Sequence, residues 1–196
     1  MSKPVMKKSQ VKLWFLIPFI MFLAFIVMLF FRLGKPTEVI PSNALNKPVP
    51  DFSLPLLSDT EQTVTNSNLP KQPFLLNIWG SWCPTCKVEH PYLMQLHEQG
   101  VPIVGVNYKD ELGNALSYLN ERGDPFLLSI QDLSGGFAID LGLTGAPETF
   151  IVDKTGNIRQ HIVGEINADN WQSRIQPCMS ALDNEAEETV IAEVCQ

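Results

Sequence analysis

The sequence predicts an α/β fold, a mixed central sheet with helices on both faces, behind an N-terminal transmembrane helix. Three observations lead there. Apolar strand-like runs alternate with helical ones through the middle of the chain, a β-hairpin and a helix follow them, and nineteen residues near the start carry no charge.

That uncharged run is Leu13 to Phe31, "LWFLIPFIMFLAFIVMLFF". At about 1.5 Å per residue it spans roughly 28 Å, the thickness of a bilayer's hydrocarbon core. Pro18 is tolerable there because neighbouring groups can satisfy the freed carbonyl. A cleaved signal peptide would have a shorter apolar stretch and a small-residue cleavage site, and Phe30-Phe31-Arg32-Leu33-Gly34-Lys35 offers none. The run is read as an uncleaved anchor. Lys3, Lys7, Lys8 and Lys12 precede it, against Arg32 and Lys35 after it, which leaves residues 1–12 in the cytoplasm and the remainder outside.

Residues 32–50, with Pro36, Pro41, Pro48 and Pro50, are expected to be a linker. All 21 acids and only eight of the 14 bases lie after Lys35, a net charge of −13 for residues 36–196. Phosphate binding needs a basic face, so nucleic acid is excluded as a partner; the charge serves solubility.

The globular domain is expected over 51–177. Phe52–Leu57 and Gln62–Thr65 are short strands around Ser58-Asp59, and Phe74–Trp79 is a buried strand. Cys83–Gln99 is a helix kinked at Pro91, Val101–Tyr108 a second buried strand and Glu111–Arg122 a helix. Phe126–Ile130 is a short strand and Phe137–Leu141 a short helix. Thr149–Asp153 and Ile158–Val163 form a hairpin, and Asn167–Ile175 begins a last helix. Residues 178–196 are an acidic C-terminal extension, helical or solvated.

The chemistry sits at Cys83-Pro84-Thr85-Cys86. Structural zinc normally takes four Cys/His ligands in two short-spaced pairs, but Cys178 and Cys195 are distant from this pair and widely spaced; His90 and His97 on the same helix read as surface residues. Covalent haem attachment commonly uses C-x-x-C-H, and Lys87 stands where that histidine would be. A Cys83–Cys86 bridge closes too short a loop to staple a fold. Redox exchange remains, with no metal and no cofactor. Cys83 would occupy the helix N-terminus, where free N–H groups stabilise a thiolate, and Pro84 fits the first turn. Cys86, one turn in, would resolve a mixed disulfide made by Cys83. Trp82 would flank the exposed sulfur with an apolar surface. Ahead of a strand, Gly145-Ala146-Pro147-Glu148 suggests a cis proline against the cysteines, with the Ala146 backbone offered to an extended substrate.

With "LLNIWGSWCPTCKVEHPYL", "GVNYKD", "DLGLTGAPETFIVD" and "GEIN" in order, the chain resembles the thioredoxin superfamily. It is most similar to the membrane-tethered periplasmic branch of that superfamily, the DsbE/CcmG proteins of cytochrome c maturation. The resemblance covers about Lys47 to Pro177. It implies a thioredoxin-like fold, a single-pass protein of the inner membrane with a periplasmic catalytic domain, and a thiol–disulfide reductant. Such a protein keeps the C-x-x-C-H cysteines of apocytochrome c reduced before haem attachment. Its partners would be apocytochrome c, other maturation components and a membrane electron donor of the DsbD/CcdA type.

The resemblance makes Cys83 the attacking thiol, Cys86 the resolving one and Pro147 the cis proline, with Thr85 inside the motif. It sets Glu89, Glu148 and Glu165 around an active-site groove; at the last position the family also uses Asp. Nearby carboxylates disfavour a thiolate and move the couple toward reductant. Asn77 stands where general thioredoxin-like reductases carry a buried Asp, so proton acceptance falls to water or another carboxylate such as Glu89. Cys178 and Cys195, beyond the resemblance, are read as a structural disulfide, with a second redox pair as the alternative. Rival functions are a general periplasmic reductase or oxidase of the same fold, a tethered thiol peroxidase, and a non-enzymatic scaffold that binds apocytochrome.

Overall fold

Phe74–Trp79 (β3) lies at the centre of the domain, every residue buried. A strand covered on both faces reads as a continuous apolar run, as this one does. The computed structural model describes residues 16–33 and 44–195. The expected cytoplasmic segment, the first residues of the expected span, most of the linker and Gln196 lie outside them. The described residues fall into the N-terminal helix Leu16–Leu33 (α1) and the domain from residue 44 onward. Side chains in α1 are described only over 17–29, and among the described residues no helix is long and apolar enough to cross a membrane.

In the domain, Ser53–Leu56 (β1) and Asp59–Thr65 (β2) lead into β3. Pro84–Glu98 (α2), Ile103–Tyr108 (β4), Leu112–Arg122 (α3), Leu128–Asp132 (β5) and Gly136–Asp140 (α4) follow. Glu148–Val152 (β6) and Ile158–Val163 (β7) form the hairpin. The described residues make one seven-stranded sheet in the order β2-β1-β5-β4-β3-β6-β7, with β3, β4 and β5 parallel and the other pairings antiparallel. Alternate side chains of a strand face opposite ways, and two cores result. Leu75, Trp79, Ile103 and Ile162 pack with α2, α3 and the C-terminal helices. Phe74, Leu76, Ile78, Val104 and Phe150 pack with α4 and the segment ahead of β3. The mixed sheet with helices on both faces is therefore the observed architecture.

The expected domain limits are corrected at both ends. Residues 44–50 were expected to belong to the linker, but they add to the sheet edge. Asn46 N–H donates to Ile158 O at 2.7 Å, Val49 N–H to Gly156 O at 2.9 Å, Pro48 bridges Asn157, and Val49 is buried. The reason is the open edge of β7, whose unpaired backbone groups take whatever strand lies nearby.

At the other end Asn167 caps a short helix, Ala168–Asn170 (α5), accepting from the N–H groups of Asp169 and Asn170 at 3.1 Å. A π turn, Trp171–Ile175, carries it into Gln176–Asp183 (α6). Pro177 lies in the first turn of α6, directly after the π turn, and the domain does not stop there. Glu188–Val194 (α7) folds back, with Ile191 and Cys195 buried in the first core. Cys178 and Cys195 are joined in a disulfide with Cα atoms 4.8 Å apart. Arg159 of β7 bonds both Asp153, at 2.7 Å, and Glu188 of this hairpin, at 2.5 Å, while Lys154 pairs with Glu185. The extension packs on the domain through Cys178, Leu182, Ile191 and Cys195, while its acids stay exposed.

Loop-closure entropy makes this second disulfide worth about 3 kcal/mol. The double variant Cys178→Ala/Cys195→Ala should lose about that much in urea unfolding with the Cys83–Cys86 pair kept oxidised. A loss below about 1 kcal/mol would assign the hairpin's hold to packing alone.

Candidate active site

Three loops converge beyond the C-terminal end of β3: 80–83 entering α2, Thr144–Pro147 entering β6, and 164–167 leaving β7. Cys83 is the N-cap of α2, in extended backbone, and its Sγ accepts from Cys86 N–H at 3.1 Å. Cys83 and Cys86 form a disulfide with Cα atoms 5.3 Å apart. The Ala146–Pro147 bond is cis, and Ala146 O stands 3.4 Å from Cys83 Sγ.

The expected exposed sulfur is corrected: Cys83 is 2 % and Cys86 4 % accessible. The Ala146–Pro147 loop, 63 residues further along the chain, covers Cys83, and spacing within the motif cannot show that. What reaches solvent is the rim. Trp82 is 50 % accessible, with its indole N–H bonded to Tyr108 O at 3.1 Å, and Pro84 and Thr85 are exposed.

A buried carboxylate holds each loop. Asp110 accepts from Ser81 N–H at 2.6 Å, from the Ser81 hydroxyl at 2.8 Å and from Asn107 Nδ2 at 3.0 Å. Glu148 accepts from Gly145 N–H at 3.0 Å, Thr144 N–H at 3.1 Å, the Thr144 hydroxyl and His161 Nε2 at 2.8 Å. Glu89 accepts from Ile166 N–H at 2.7 Å and Asn77 Nδ2 at 3.2 Å.

Glu89 and Glu148 therefore do not line an open groove. Helical period explains Glu89: three residues after Cys86, it shares the inward face with Cys86, His90 and Leu93. It is 1 % accessible, and burial pushes its pKa up to about 7. The Ile166 and Asn77 bonds oppose that rise, while the charge of Glu165 adds to it. Burial works on Glu148 in the same direction, but its bonds from His161 and Thr144 win and hold its pKa below the usual range. Of the three expected glutamates only Glu165 is partly exposed. Asn77 also donates to Thr149 Oγ1 at 2.9 Å, which ties Glu89 to β6.

His90 is corrected from the surface to the interior. Its ring nitrogen lies 3.1 Å from Gly123 O, it packs edge-on against Tyr118 at 5.0 Å, and burial lowers its pKa. His97 is exposed. Among the described residues no group of three or more His, Cys, Asp or Glu is placed to hold a metal.

Asp110, Thr144 and His161 were not singled out from the sequence. Asp110 had a signal, because it ends "GVNYKD" just past a parallel strand, where α/β sheets build their sites. His161 had none; pairing with Phe150 across β6–β7 brings it in, its ring stacked at 4.2 Å.

A C-x-x-C disulfide capping a helix against a cis proline, on this sheet, defines a thioredoxin-fold thiol–disulfide oxidoreductase. Comparison with known proteins agrees. The Redoxin family matches residues 44–174. The thiol:disulfide interchange protein DsbE of Pseudomonas aeruginosa is 44 % identical over 172 residues, 88 % of this chain and 96 % of that one. DsbE of Escherichia coli K12 is 42 % identical over 177 residues, 87 % of this chain and 96 % of that one. The crystal structure of a DsbE-type interchange protein from Chlorobium tepidum superposes with a TM-score of 0.60 at 26 % identity, covering 70 % of this chain and 97 % of that one. The chain belongs to the redoxin family and, within it, to the DsbE thiol:disulfide interchange proteins.

The raised pKa of Glu89 gives the fold a pH dependence. Between about pH 4.5 and 7 the folded state keeps a proton that the unfolded chain releases, so stability is greatest below that window and is lost as pH rises through it. The loss should be on the order of 3 kcal/mol. Urea unfolding at pH 5 and pH 8 checks this: Glu89→Gln should flatten the difference, and an unchanged pH profile in the variant would assign it elsewhere.

Proposed function

We propose that this protein is a membrane-tethered periplasmic reductant that keeps the C-x-x-C-H cysteines of apocytochrome c reduced before haem attachment. The observation that carries the reading is Glu89, buried beneath the cysteine pair three residues from Cys86 and titrating at about 7. Negative charge there opposes a thiolate, so the dithiol gives up its electrons more readily. The names of the DsbE relatives support thiol–disulfide interchange, and the motifs shared with the DsbE/CcmG proteins support the substrate. The uncharged run 13–31 and the excess of lysine before it support the anchor and its orientation.

In this reading Cys83 thiolate attacks a substrate disulfide, forming a mixed disulfide and releasing one substrate thiolate. Cys86 then attacks Cys83 Sγ, which releases the second substrate thiolate and leaves the Cys83–Cys86 disulfide. Glu89 takes the Cys86 proton as that attack begins, a task the Asn77 amide cannot perform. Ala146 presents its backbone to the substrate, and Trp82 packs on it. Two electrons from a membrane donor of the DsbD/CcdA type restore the dithiol.

A Cys86→Ala variant should trap a mixed disulfide with an oxidised C-x-x-C-H peptide at least tenfold faster than with the same peptide lacking the histidine. Equal rates would leave a general reductase. In the resolving-competent protein, Glu89→Gln should shift the equilibrium with glutathione about tenfold toward the dithiol at pH 8, a rise of about 30 mV. The shift should shrink at pH 6, where Glu89 is mostly protonated in the wild type.

A further inference from the structure

Asp110 is 4 % accessible and bonds the chain two residues before Cys83. Its Oδ2 takes two N–H donors, from Ser81 and Asn107, and its Oδ1 lies 2.8 Å from the Ser81 hydroxyl. Among the described residues no Lys or Arg forms an ion pair with it. The preceding residue, Lys109, has φ +45°, a left-handed conformation that costs a side-chain-bearing residue about 1 kcal/mol or more. Its N–H is fixed to Asp132 O at 3.0 Å, and Gln131 Nε2 holds Asp110 O at 3.4 Å. The backbone is thus turned against its preference to aim a carboxylate, paired with no Lys or Arg among the described residues, at the loop that delivers the nucleophile; the Lys109 ammonium lies over the Tyr108 ring instead.

A loop this short could be closed by neutral groups; an Asn side chain would accept from Ser81 N–H as well. The charge does more. The N-terminal end of α2 stabilises an anion at Cys83, whereas a carboxylate fixed to Ser81, two residues before Cys83 and outside that helix end, opposes one by charge repulsion. A thiolate at Cys83 is thereby disfavoured. We propose that Asp110 is a positioning residue whose negative charge, placed through Ser81, sets the Cys83–Cys86 pair toward the reductant side. It acts on the chain just before the motif, whereas Glu89 lies beyond it along α2.

The inference rests on the reductant reading only for its purpose. The wild-type potential tests that reading; the change on substitution tests this one. The reaction followed is protein dithiol plus oxidised glutathione giving protein disulfide plus two reduced glutathione molecules, with the full chain in detergent. Asp110→Asn should move this equilibrium about tenfold toward the dithiol, about 30 mV. It should also speed alkylation of Cys83 at pH 6 severalfold, through a larger thiolate fraction. Ser81→Ala, which removes the hydroxyl and keeps the charge, should change the equilibrium by less than twofold. Unchanged equilibrium and alkylation in Asp110→Asn would overturn the proposal. So would an equal shift in Ser81→Ala, which would make the effect one of loop geometry. Failure of both Asp110→Asn and Asp110→Ser to fold would do the same, since Asp110 would then be structural.

Discussion

A carboxylate taken out of water survives only where donors replace the solvent it has lost, and an isolated one costs several kcal/mol. This active site is built on that constraint. Asp110, Glu89 and Glu148 each give up hydration and recover it from backbone N–H groups of a different loop: Ser81, Ile166, and Thr144 with Gly145. Asp110 and Glu89 bind loops 29 and 77 residues away in sequence while Glu148 ties down the loop that enters its own strand, and so the three loops keep their places around the disulfide. The recovery is unequal. Glu148 has four donating groups and keeps its charge, whereas Glu89 has two and holds its proton to about pH 7.

The sheet makes this arrangement possible by putting β3 between β4 and β6. Ile78 pairs with Glu148, so the cis-proline loop ends directly beside the end of the strand that leads to the cysteines. Asn77 pairs with Gly105 on one side and Thr149 on the other. A side chain on Gly105 would meet Phe126 and Ser129 at under 3 Å, so glycine lets Phe126 lie flat against Trp79, at 5.4 Å. The wall behind Cys86 is aromatic for that reason, with Tyr118 tilted against Trp79 at 5.5 Å and its hydroxyl 3.5 Å from Cys86 O.

At the far end of the β6–β7 hairpin the two ends of the domain meet. The strand-like residues 46–49 pair with 156–158, and Arg159 and Lys154 fasten the disulfide-bonded C-terminal helices. The exposed ion pairs there are worth little, while the burial of Cys178, Leu182 and Ile191 does most of the holding.

The sequence by itself determined the fold class, the placement of Cys83 at a helix start, the proline at the facing loop and the order of the elements. Each of these depends on local chemistry: an unbroken apolar run for β3, a C-x-x-C with proline in the first helical turn, turn residues around Gly156. Strands β3 and β7 run over Phe74–Trp79 and Ile158–Val163, where the sequence pattern places them. Tertiary structure alone decided which carboxylates are buried, that Ala146 shields Cys83, and that residues 44–50 and 178–195 belong to the domain. Glu89, Glu148 and Asp110 look alike in sequence, and they differ only in which backbone donors the folded chain brings to them. Those donors lie 77, 4 and 29 residues away. Local pattern cannot specify contacts at separations of 29 or 77 residues, which form only when the sheet order has set the loops side by side; the Glu148 contact with its own loop is local, and what the sheet adds there is His161 from β7.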